Sequence, residues 1–74
     1  MQEFYCVCTT NMCNNEFYAF RSLDNAVNFL ANQYDMNDEE RRVFVQQLYE
    51  DFTLRNEEYK CYEDWEIYVA GFED

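Results

Sequence analysis

Residues 3–9 (Glu-Phe-Tyr-Cys-Val-Cys-Thr) concentrate aromatic, β-branched and cysteine side chains and predict a strand. Residues 10–15 supply turn chemistry, since asparagine tolerates the left-handed region, and residues 16–21 predict a returning strand. The period then changes. Leu23, Ala26, Val27, Leu30 and Tyr34 recur at helical spacing, with Ser22 placed as N-cap and Asp24 set against the positive end of the dipole. The opposite stripe, Asn25, Asn28 and Asn32, is polar but uncharged. Asn37 followed three residues later by Glu40 resembles a capping box and predicts a second helix from Asp38 to about Leu54. Phe44, Val45, Leu48, Tyr49 and Phe52 gather on one side of it, and Glu39, Gln46, Gln47 and Glu50 point away. Residues 57–62 and 65–70 alternate at period two around Glu63-Asp64 and predict a hairpin. Burying the most apolar set puts Tyr59 and Cys61 on one face with Trp65, Ile67 and Val69, leaving Glu58, Lys60, Glu66 and Tyr68 outside. Glu-Asp suits a two-residue primed turn poorly, which favours a wider loop. The expected fold is α+β, ββααββ: a four-stranded antiparallel sheet with two helices packed on one face.

The chain has 74 residues with one glycine and no proline, which leaves little room for a linker, so a single domain over 1–74 is expected. Seven Phe, seven Tyr and one Trp supply the core. Net charge is −11, unevenly placed: −9 falls on residues 35–74 and −2 on what precedes them. Such a charge opposes direct binding to nucleic acid or to an anionic membrane, and it favours either a basic partner or simple solubility. No segment reads as a signal peptide or membrane span, so the expected location is the cytosol, with reduced thiols.

Residue types narrow the chemistry. Histidine is absent, and Ser22, the one serine, already has a capping role, so a nucleophile–base hydrolase is hard to build. A phosphate loop needs more than Gly71, and paired carboxylates alone do not make a walled glycosidase cleft. No enzyme activity, cofactor or metal is expected. The alternative of a zinc-stabilised module would use Cys6, Cys8, Cys13 and Cys61. However, alternate residues of a regular strand lie roughly 7 Å apart, too far for Cys6 and Cys8 to share one zinc without buckling. The three cysteines at 6, 8 and 61 also fit core positions. The 35–40 segment lacks the glycine and closing glutamate of a calcium loop.

What remains is the acidic surface. Carboxylates three or four residues apart on a helix lie about 5–6 Å from each other, similar to neighbouring phosphates of one strand. Asp35, Asp38 and Glu39 are candidates for such a row, and Glu57, Glu58, Glu63, Asp64 and Glu66 for its extension over the hairpin. Arg41 and Arg42 interrupt it on the second helix. Glu63-Asp64-Trp65-Glu66-Ile67, followed by Gly71-Phe72, resembles the Glu-Glu-Trp-x-Ile…Gly-Phe segment of ArdA-type antirestriction proteins, with the Gly-Phe one residue closer to the Trp. In size and charge the chain is also similar to small phage inhibitors such as anti-CRISPR proteins. The resemblance implies a non-enzymatic inhibitor acting as a DNA or RNA mimic. Its partner would be the basic nucleic-acid site of a nuclease, CRISPR or restriction effector. The alternatives are an interaction module using the asparagine stripe with Tyr18, Tyr62 or Tyr68, and a homodimer that buries a leftover aromatic patch.

Overall fold

The computed structural model describes residues 2–10 and 15–72, and the predicted turn region around Asn11–Asn14, Cys13 included, lies outside them. Strands β1 (Gln2–Thr9), β2 (Phe17–Phe20), β3 (Tyr59–Tyr62) and β4 (Trp65–Phe72) form one antiparallel sheet in the order β2-β1-β4-β3. Helices α1 (Leu23–Ala31) and α2 (Asp38–Thr53) connect the two hairpins and pack on one face of the sheet. The two long strands are central and pair along their whole length, from Gln2↔Phe72 to Thr9↔Trp65. This pairing joins the chain's two ends into one sheet.

Helix starts follow the local chemistry. The Ser22 side chain accepts from the Asn25 amide, and Asn37 and Glu40 close a reciprocal capping box. The core is Val7, Leu23, Ala26, Val27, Leu30, Leu48, Phe52, Trp65 and Ile67. Helix α1 packs against both the sheet and α2, so its burial extends beyond the expected stripe. Ala31 is fully buried, and Phe29 packs against Tyr18, Phe20 and Trp65 at ring distances of 4.5, 5.3 and 6.1 Å. Regular α1 ends at Ala31, three residues before Tyr34, which is reached through a turn. Asn25, Asn28 and Asn32 stay exposed as expected.

The β3–β4 hairpin corrects the expected facing. Its loop is the two residues Glu63-Asp64, with a positive φ of 70° only at Asp64, which aspartate tolerates. Tyr62 therefore pairs with Trp65, Lys60 with Ile67, Cys61 with Glu66 and Tyr59 with Tyr68. Directly paired residues share a face. Lys60 and Tyr62 thus face the helices, and Tyr59 and Cys61 face away. A loop one residue longer would have reversed all four.

Lys60 is accepted on the helix side because a carboxylate waits there. Asp51 is buried on α2 at 6 % exposure. One of its oxygens accepts from Arg55 at 2.5 Å and from Gln47 at 3.3 Å, and the other lies 3.4 Å from the Lys60 Nζ. Glu57 adds a second anion 3.5 Å from Lys60. Burial alone would raise the Asp51 carboxyl, but the donors from Arg55, Gln47 and Lys60 outweigh it and hold the pKa below the usual value.

Cys6 is buried at 1 % exposure as expected, but Cys8 and Cys61 correct the expectation of core cysteines. Cys6, Cys8 and Cys61 lie on the sheet face opposite the helices, outside the helix-side core. Cys6 is buried there, Cys8 is half-buried and Cys61 is exposed. Cys8 and Cys61 flank Glu66 on neighbouring strands, which sets their backbones roughly 10 Å apart. Among the described residues no group of three His, Cys, Asp or Glu side chains is placed to hold a metal ion.

Candidate functional site

The acidic residues divide into three places. Tyr34, just beyond α1, donates its hydroxyl to the Glu63 carbonyl at 2.7 Å. Burial, then the nearby Asp64, Tyr62 and Glu63, push this phenol up to about 12, so it remains a donor at neutral pH. Its ring lies 6.2 Å from Phe44, which in turn lies 5.2 Å from Tyr62. These contacts bring the α1–α2 connection, the start of α2 and the β3–β4 turn to one end of the molecule. Asp35, Asp38, Glu39, Glu63 and Asp64 are all exposed there. None makes an ion pair with another described residue.

Glu57 and Glu58 belong elsewhere. They precede β3, with Glu58 five extended residues from Glu63, or about 17 Å. Both line a shallow depression with Glu3 and Asn56, and Glu57 is already paired with Lys60. Glu66 occupies the third place, on the sheet face turned away from the helices. Its two oxygens accept from Cys8 Sγ at 3.2 Å and from Tyr59 Oη at 2.6 Å. Cys8 is consequently pushed up to about 11, by burial first and then by this carboxylate. Of the eight expected residues, five converge, and Glu57, Glu58 and Glu66 do not extend their row.

The acidic end has an apolar groove beside it. Between α2 and β3, Val43, Phe44 and Tyr62 line a depression of about 520 Å³, and Glu39, Glu40, Asn37 and Gln47 complete its lining. Val43 is 59 % exposed despite its place on a helix near the core. Arg42 borders the neighbouring depression with Asp38 and Glu39 without forming an ion pair to a described residue. The end thus carries six carboxylates, counting Glu40, near two arginines. Tyr34 was legible only as part of the apolar stripe, and nothing in the sequence marks its hydroxyl as the tie between segments 29 residues apart.

No family model matches the chain, and neither curated proteins nor solved structures yield a similar one. Trp65 and Ile67, which carry much of the antirestriction resemblance, are core residues at 8 % and 0 % exposure. Packing alone accounts for their presence. Among the described residues no helix is long and apolar enough to cross a membrane.

Proposed function

We propose that the chain is a non-enzymatic inhibitor of a nucleic-acid-handling defence complex, of the nuclease, CRISPR or restriction type. Its acidic end would occupy the basic surface on which that complex holds nucleic acid. The observation that carries this reading is the Tyr34–Glu63 hydrogen bond, which gathers Asp35, Asp38, Glu39, Glu63 and Asp64 at one end. Exposed carboxylates at helical spacing offer a basic channel a charge density similar to that of one phosphate strand. Their freedom from ion pairs to other described residues leaves the field available for steering an encounter. The groove lined by Val43, Phe44 and Tyr62 supplies an apolar contact next to the charge.

The test is competition between the chain and labelled duplex for purified restriction or CRISPR effectors. Reversing Asp35, Asp38, Glu63 and Asp64 to lysine raises the inhibitory concentration by at least about 100-fold, since close interfacial charge pairs are worth several kcal/mol together. Reversing Glu57 and Glu58 at the other end changes it by less than about threefold. Equal losses from both sets would contradict the assignment of the acidic end.

A further inference from the structure

The sheet face turned away from the helices is covered by no described element. In a chain with 21 charged residues it carries chiefly Cys6, Cys8, Phe17, Tyr59, Cys61 and Tyr68, and Glu66 is the one carboxylate among its described positions. Phe17 is 59 % and Tyr59 53 % exposed. An antiparallel sheet with one wet face ordinarily alternates to polar residues on that side. This one does not. Glu66 also has a donor on each oxygen from the face itself, which satisfies part of its hydrogen-bonding capacity and holds the carboxylate in place.

We propose that a second copy of this chain covers the face in a two-fold dimer, sheet against sheet. The face is self-complementary in charge. Arg21, immediately after β2, lays its guanidinium 5.8 Å over the Phe4 ring on this side. Cys6 lies between Arg21 and Glu66: each sits one strand away and two residues along, in opposite directions. A two-fold axis in the plane between the sheets, passing at Cys6, sets each Glu66 opposite the other copy's Arg21. The strands of the two sheets then cross steeply, as in orthogonal sheet packing. With two strands of eight residues and two of four, the projected face is roughly 400 Å². Two pleated faces of this size bury on the order of 1,000 Å², the scale at which specific interfaces begin. The acidic end and the helices remain outside, so repulsion between copies acts over more than a Debye length in ordinary salt.

Sedimentation equilibrium under reducing conditions, from about 10 μM to about 1 mM protein, reads the result directly. The expected outcome is a monomer–dimer equilibrium that tightens as salt rises to about 0.5 M. Phe17→Lys, at a position too exposed to matter for folding, weakens the dimer at least about tenfold, and Leu54→Lys on the helix side leaves it unchanged. Arg21→Glu and Glu66→Arg each weaken it, and the double exchange restores it. A chain that stays monomeric throughout overturns the proposal and leaves the face to a partner of different sequence. A dimer dissolved by Leu54→Lys but not by Phe17→Lys overturns it equally, as does a double exchange without rescue.

Discussion

Asp51→Asn is expected to lower the unfolding free energy by about 2 kcal/mol, because three charge-assisted contacts converge on a buried carboxylate. In a domain of this size that corresponds to a melting temperature lower by about 10 °C. The loss depends on pH in a defined direction. With its pKa held below the usual carboxylate value, the folded chain binds this proton less readily than the unfolded chain. The stabilisation is complete above about pH 4 and fades as the pH falls through the lowered pKa. The difference between wild type and Asp51→Asn therefore narrows in acid. The difference is the proper readout, because protonating the other carboxylates relieves self-repulsion in both proteins. A gap that stays constant from neutral pH into strong acid would contradict the role given to the Asp51 charge.

Trp65→Ala should cost more, about 3–5 kcal/mol. Trp65 is 8 % exposed, closes the core at the start of β4 and meets Phe29 edge-on at 6.1 Å. A domain of 74 residues has a total stability of roughly 4–11 kcal/mol, so the variant sits near the edge of folding. Trp65→Phe keeps the aromatic contact and is expected to lose only about 1–2 kcal/mol. Urea titrations followed by circular dichroism measure both. An alanine variant with an unchanged midpoint would remove Trp65 from the core described above.

The sequence carries the element order, the ββααββ class and both helix starts, because each depends on residues close together in the chain. Ser22 and Asn37 announce their helices through their own side chains, and α2 buries Leu48 and Phe52 where its periodicity places them. The facing of β3 was not legible in the same way. It depends on whether the turn after Tyr62 has two residues or three, and Glu63-Asp64 is an unusual pair for the shorter loop. Hydrophobicity argued for placing Cys61 inward and Lys60 outward. The register reverses this, and Asp51 makes the reversal possible through a contact nine residues away. The burial of Asp51 and the inward turn of Lys60 are thus one fact. Neither residue reveals it alone.

The candidate site was partly legible for a related reason. Charge counts located the acidic half of the chain, but not its division between two ends and the outer sheet face. That division follows from strand length, which separates Glu58 from Glu63, and from strand parity, which sends Glu66 to the other side. Tyr34 then joins the two segments that do meet.

The most direct measurement is the salt dependence of inhibition for an effector that responds to the chain. The affinity of the wild-type chain should fall steeply between about 50 mM and about 300 mM salt, and the variant reversed at Asp35, Asp38, Glu63 and Asp64 should lose most of that slope. Inhibition equally strong across the range, with the same flat dependence in the variant, would show that the carboxylates at this end do not drive binding.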